Sequence, residues 1–576
     1  MTPEINFTDH NGNPTTGRFR IGLALSGGGF RAAIFHLGVI RRLEELGIMK
    51  DVDVISSVSG GSIIAAYYVC EMEKRLRQKE PRFWQDTATR VEIFEAIARD
   101  FLKAVDHNLR TRALIFTPFF HPILFVKTLV LKAFRAGARS ELIQCEYDKW
   151  FYDGDTVDQL PSVTPERYKG TTPVLHGPQI ILNTTSLLTG ERVSFSRDPN
   201  SGMNEMKRSN KNSLPLSRVV GASSGVPVLF PATSIYGDML VDGGVADNQG
   251  IEALLPAQDP PGKPLQQILL VSDASGQLEA KHTISRGDPE VFLRVNDILQ
   301  FQVRSKLIDR LVQWKTDQPT HRFFAFTHLF LNLKDRGVDN RLPAEMIQGV
   351  ARIRTDLDQF SYVERDALMY HGYTLIDAQI RKYCPPLWSA YPASGAPALA
   401  LAPLFSSPAL DTTRKRDRIR RELEAGAQKV FLLRAFRKYP RRIGPVFLAW
   451  AAVWVGALYG LFGKYTTPLE LIHKWSKEVL AGITSGWIGF TLDWLLSYAK
   501  LPSRGALVEG IASLLSAGVL VAAAGYVLAC PMYGIVRRLA MHADRKNYRA
   551  LTGTGPTTCW KPEPRVENAP QSDARE

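Results

Sequence analysis

Two glycine-rich turns constrain this chain more than any other feature: Leu25-Ser26-Gly27-Gly28-Gly29-Phe30-Arg31, then Ser57-Val58-Ser59-Gly60-Gly61 about one strand–helix–strand unit later. An apolar run over 20–25 leads into the three glycines, and helical spacing follows over 32–46 (Ile34, Leu37, Ile40, Leu43) up to Gly47. A second apolar run, 52–56, reaches Ser59 and gives way to a further helix over 62–72. Runs at 179–182, 239–241 and 268–272 read as more buried strands. Strands alternating with helices predict an α/β fold with a mostly parallel central sheet covered on both faces. Three glycines leave backbone N–H groups bare at the start of a helix, and a serine at a sharp strand-to-helix turn faces them. That pairing is the minimum equipment for acyl transfer.

A serine hydroxyl needs a base to take its proton and donors to hold the oxyanion it creates. The turn at Ser59 has the form G-x-S-x-G with Ser57 in the place of the first glycine, a residue small enough for strand and helix to stay close. The base candidate is Asp242, at the end of an apolar run and followed by Gly243 and Gly244, which places a carboxylate at the carboxyl edge of the sheet. Taken singly, Asp242-Gly243 is also an ordinary turn. The histidines at 36, 282, 321, 328 and 371 carry no motif, although the residues alone leave a Ser–His–Asp triad open. No His/Cys/Asp spacing points to a metal and no calcium loop occurs, so neither metal nor cofactor is expected.

The order Gly27-Gly28-Gly29-x-Arg31, Ser59-x-Gly61, Asp242-Gly243 resembles the patatin-like phospholipase family. Further matches are Leu182-Asn183-Thr184-Thr185 with Thr189-Gly190-Glu191, Gly221-Ala222-Ser223-Ser224 with Pro227, and Arg354-Thr355-Asp356-Leu357 with Gly372-Tyr373. The run 26–32 is similar to the cytosolic phospholipases as well. The resemblance covers roughly 18–380 and implies a three-layer α/β/α hydrolase with a Ser–Asp dyad. In it Ser59 attacks an ester and Asp242 takes its proton, so Asp242 is expected to be partly buried. The amides of Gly28 and Gly29, together with Gly27, hold the oxyanion, and Arg31 lies near a phosphate head group.

Outside that region charge and hydropathy separate. The net charge is +14, and 414–442 alone holds twelve Lys/Arg against three acids, so a basic juxtamembrane helix carries most of the excess. A nucleic-acid binder spreads basic charge over its folded domain, so no nucleic-acid partner is expected. The charge-free run 443–463 has 21 residues, as a helix roughly 31 Å, about one hydrocarbon core. A second, 510–536, has 27 residues and is followed by Arg537 and Arg538. Basic flanks on the outer sides predict a two-span membrane hairpin over 443–536 with the catalytic domain in the cytoplasm. The Trp-rich 479–497 reads as an interfacial connector because a third span would put Arg537 on the wrong side. The expected layout is a catalytic domain over 1–384, a Pro/Ala-rich linker over 385–413, the basic helix over 414–442, the hairpin over 443–536, and a basic then disordered tail over 537–576. No signal peptide is read over 1–13, and five scattered cysteines fit a reducing compartment. The apolar 112–136 reads either as an interfacial helix admitting lipid or as a cap on the core.

The expected partners are a membrane phospholipid or lysophospholipid and the bilayer itself. Oligomeric state, positional preference and acceptors other than water stay open. Two other readings fit parts of the sequence. Gly27-x-Gly29-x-x-Ala32 also matches a dinucleotide loop, but that requires an acid at the end of the second strand, where Ser56 and Ser57 stand. A catalytically silent membrane scaffold is the other, since fold alone does not give activity.

Overall fold

The computed structural model describes residues 5–8, 14–17, 19–114, 138–161, 177–197, 213–227, 230–255, 266–276, 288–333, 342–391, 404, 413–428 and 534–552. The chain divides into two compact units, one of 1–113, 139–431 and 545–576, the other of 114–138 and 432–544. Most of the second lies outside the described residues, and with it the charge-free run 443–463, nearly all of 510–536, the connector 479–497 and nearly all of 112–136. Among the described residues no helix is long and apolar enough to cross a membrane.

The first unit is built on an eight-stranded sheet. A short hairpin of β1 (Ile5–Thr8) and β2 (Pro14–Gly17) precedes it. The sheet strands are β3 (Phe19–Leu25), β4 (Val52–Val58), β5 (Gln179–Ser186), β6 (Arg192–Phe195), β7 (Thr233–Ile235), β8 (Asp238–Asp242), β9 (Gln266–Asp273) and β10 (Arg322–His328). Their order is β10-β9-β3-β4-β5-β8-β7, with β6 paired to β5. The five from β10 to β5 are parallel, whereas β6, β7 and β8 pair antiparallel. The chain thus builds outward from β3 in one direction to β5 and later in the other to β10. Loops after β3 and β9 diverge at this reversal, and a crevice opens at the carboxyl ends of the strands.

Right-handed crossovers on either side of such a reversal put helices on opposite faces. Helix α1 (Gly29–Glu45) and α2 (Gly60–Leu76) connect β3, β4 and β5, and α3 (Thr87–Val105) packs beside both. The helix Asp288–Asp317 connects β9 and β10, and its Leu311 and Trp314 pack on Ala24, Ile251, Leu269 and Val271. The three-layer α/β/α arrangement therefore holds. Helix α1 is buried from Gly29 to Glu44 because Tyr362–Tyr383 lies across it. That crossing depends on two glycines: a Cβ on Gly38 would come within 1.9 Å of the Met369 carbonyl, and one on Gly372 within 2.3 Å of the Phe35 carbonyl.

The fold departs from the expected layout beyond residue 384. Pro385–Ala390 is helical rather than linker, and buried Tyr391 donates to Asp51 at 2.7 Å, so packed chain runs to Tyr391. The basic segment forms a helix over Thr413–Gln428 whose Ile419 and Leu423 are buried, docked on Ala344–Ala351 and Tyr362–Tyr383. The expected tail is helical over its first part, 537–552, in a helix that begins at 534, and Tyr548 and Leu551 within it are buried.

Candidate active site

Sheet register brings the distant motifs together. Val58 is level with Asn183, and the next residue, Thr184, is level with Asp242. Ser59 leaves β4 and Asp242 ends β8 at the same height, with only β5 between them. Ser59 sits at φ 50°, ψ −117°, a conformation non-glycine residues rarely adopt, as a sharp strand-to-helix turn demands. The turn leaves no space for side chains around it: a Cβ on Gly60 would meet the Gly29 carbonyl at 2.0 Å, and one on Gly61 the Leu25 carbonyl at 2.2 Å. Ser57, the departure from the motif, fits because it is still in the strand, bonding the Ile181 carbonyl at 3.2 Å. Ser223 fixes the turn, accepting from the Ser59 amide at 3.0 Å and donating to the Asn183 carbonyl at 2.7 Å.

Asp242 is buried. Its carboxylate accepts from the Gly244 amide at 2.7 Å, and the Ser59 side chain lies beside it. Burial raises its pKa to about 6, against the lowering effect of the Gly244 amide and the neighbouring Ser59 side chain. A carboxylate so raised is a better base toward an alcohol than an exposed one.

The glycine loop divides its labour. Gly28 (φ 137°) and Gly29 (φ 59°) both lie in the left-handed range, and their amides have no partner among the described residues. Both residues line, with Ser59 and Asp242, a cavity of about 320 Å³. Gly27 differs from expectation: its amide donates to the Asn248 carbonyl at 2.9 Å and is not free for an oxyanion. Its lack of a side chain matters instead, since a Cβ would stand 2.3 Å from Asn248 Oδ1 and 3.2 Å from Ser59 Cβ.

Arg31 also differs. It lines the cavity, but its guanidinium is buried and donates to the Ile353 carbonyl at 2.8 Å and the Ala274 carbonyl at 3.0 Å. Burial lowers its pKa to about 10, so it stays charged at neutral pH. It clamps two loops behind the glycines, and its remaining Nε has no partner among the described residues. The bond from Arg31 to each loop spans more than two hundred residues of sequence, which no local motif announces.

No histidine is among the residues lining the cavity. His36 is buried beneath the loop, donating from Nε2 to the Ser26 carbonyl at 3.0 Å, so that Nδ1 accepts from Ser272 at 2.8 Å. Burial lowers its pKa to about 4, and it is a neutral strut. Asp53, the acid nearest the position a dinucleotide loop requires, accepts from the Ile21 amide at 2.8 Å where β3 and β4 shift register. Among the described residues no group of three or more His, Cys, Asp or Glu side chains is placed to hold a metal.

Sequence reasoning missed three contributors. Asn248 and Gln249 follow the Asp242 turn and line the cavity. Asp356 caps the glycine loop, its carbonyl accepting from the Phe30 amide at 2.7 Å. Their proximity to Asp242 or presence in a matched motif was visible; their contacts were not.

Residues 23–255 match the model of the patatin-like phospholipase family, as the motifs implied. No curated protein matches the chain. Among solved structures, VipD from Legionella pneumophila is 14% identical over 89% of this chain and 91% of its own, with a TM-score of 0.27. Human GIVD cytosolic phospholipase A2 is 11% identical over 65% of this chain and 62% of its own, with a TM-score of 0.37.

Proposed function

From a chain that carries a patatin-like phospholipase domain, we propose a serine lipid acyl hydrolase of the phospholipase A or lysophospholipase type. Ser59 Oγ attacks the ester carbonyl carbon while its proton passes to Asp242. The amides of Gly28 and Gly29 bind the oxyanion, aided by the α1 dipole and the buried charge of Arg31. The alcohol leaves with the proton from Asp242, and water then releases the fatty acid from acyl-Ser59. The observation that carries this reading is that Ser59 and the buried Asp242 carboxylate line one cavity with Gly28 and Gly29, whose amides have no partner among the described residues. The cavity wall includes Val226, Pro227, Phe230, Phe301 and Leu357, a lining that suits an acyl chain. Under the same reading 443–536 anchors the chain in a membrane with the site on the cytoplasmic side, supported by the charge-free runs and their basic flanks.

The test is covalent labelling by a fluorophosphonate, with lipid products followed by mass spectrometry in liposomes. Wild type is labelled at Ser59 and releases fatty acid; Ser59→Ala does neither, and Asp242→Asn loses turnover by about a thousandfold or more. A folded wild-type chain that resists the probe refutes the proposal.

A further inference from the structure

The cavity contains a side chain that the chemistry above leaves unused. Gln249 is fully buried, yet neither its Oε1 nor its Nε2 has a hydrogen-bond partner among the described residues. It lines the same cavity as Ser59, Asp242 and Gly244. Its backbone is fixed, because its amide donates to Asp247 Oδ1 at 3.1 Å and that of Gly250 to the same oxygen at 2.8 Å. Gly250, at φ 70°, packs against Ser56, so the backbone that carries Gln249 is held in place. An unbonded buried amide is costly, and an apolar side chain of the same size avoids that cost.

A carboxamide presents an acceptor and donors side by side. A phosphate or carboxylate satisfies the donors and repels Oε1. An ammonium satisfies only Oε1, and an acyl chain satisfies neither. A hydroxyl satisfies both, accepting from Nε2 and donating to Oε1. We infer that Gln249 is a hydroxyl-binding residue of the catalytic cavity, an inference that rests on the hydrolase reading.

That reading brings two hydroxyls here. One is the free glycerol hydroxyl of a monoacyl lipid, next to the ester to be cut. The other belongs to the water that attacks acyl-Ser59. Its oxygen bonds to the acyl carbon as its proton passes to Asp242; the bond from that carbon to Ser59 Oγ then breaks, Oγ takes the proton, and the fatty acid leaves.

The experiment compares full-length wild type with Gln249→Met on 1-acyl lysophosphatidylcholine and on its 2-O-methyl ether, and follows the burst and steady phases on a p-nitrophenyl ester. Where the substrate hydroxyl is bound, wild type prefers the free hydroxyl by about tenfold in kcat/KM, and the variant loses most of that preference. Where water is bound, the burst persists in the variant while the steady phase slows by about tenfold and acyl-Ser59 accumulates on mass spectrometry. Gln249→Asn, which withdraws the amide by one methylene, decides the matter where the Met variant fails to fold. Variants that match wild type in both readouts, or that slow every substrate and both phases equally, overturn the inference. Absence of fluorophosphonate labelling in wild type overturns the hydrolase reading and this one with it.

Discussion

At the residue scale the site is a set of costs held in place by neighbours. Ser59 keeps a strained backbone and Asp242 a buried charge. The raised pKa gives two expectations of opposite sense. Activity requires ionised Asp242, so kcat/KM should rise with pH through a midpoint near 6, measurable on a soluble ester. Stability runs the other way. The folded protein binds this proton more tightly than the unfolded chain, so its contribution is full below about pH 4 and is lost as pH rises to about 6. Asp242→Asn removes that loss. It should melt at higher temperature than wild type at pH 8, by the equivalent of about 2 kcal/mol, while its turnover collapses. A melting curve at pH 8 and another at pH 4 check this, the gain shrinking at the lower pH. The identities of Ser59, Asp242, Gly28 and Gly29 were legible because each sits in a local motif. The spent amide of Gly27 and the clamped guanidinium of Arg31 were not, since their partners, Asn248, Ile353 and Ala274, are set by the folded chain.

At the element scale, strands β3, β4, β5 and β9 and the helices α1 and α2 followed from apolar runs and periodicity, the strands running a few residues longer than expected, whereas the crossover helix Asp288–Asp317 was not foreseen. Strand β4 runs on to Val58 because the elbow begins only at Ser59, and β5 runs to Ser186 because β8 and β6 pair with its far end. Strand β10, at the sheet edge, was missed: its only apolar run, Phe323-Phe324-Ala325-Phe326, has no alternation and is too short to tell a strand from part of a helix. The contact between α1 and Tyr362–Tyr383 was equally invisible, for it depends on two glycines far apart in sequence. It yields a sharp contrast. Gly38→Ala places a methyl against the Met369 backbone and should destabilise by about 3 kcal/mol or more. Gly190→Ala, at φ 76° with open space around it, should cost only about 1 kcal/mol. Urea unfolding of the two variants separates them, and equal midpoints would show that the helices part without penalty.

At the scale of the whole molecule, the catalytic region does not end where composition changes. The Pro/Ala-rich stretch reads as a linker, yet the chain beyond it returns to the domain. Arg354 makes the connection. Its Nη1 donates to Glu364 at 3.0 Å and to the Gly426 carbonyl at 3.3 Å, while its Nε holds Asp356 at 3.1 Å. Asp356 in turn caps the glycine loop through the Phe30 amide. The basic helix is thus tied, through two residues, to the amides beside Ser59. Residues 545–552 add a second clasp: Tyr548 packs on Tyr362, their rings 5.9 Å apart, and donates to Asp366, while Asn547 donates to Glu422 at 3.3 Å. A chain cut after Tyr391 exposes the surface under Ile419, Leu423, Tyr548 and Leu551, each worth about 1.5–3 kcal/mol of apolar burial. It should melt about 10 °C lower and react more slowly with a fluorophosphonate. Truncation also removes 432–544, so Arg354→Met in the full chain isolates the tie. It should slow labelling while leaving the apolar contacts of the helix in place. Normal labelling in Arg354→Met, with a truncated chain that melts like the whole, would make the C-terminal helices mere appendages. Slow labelling in both would mean that the oxyanion loop is set in part by the segment next to the charge-free runs.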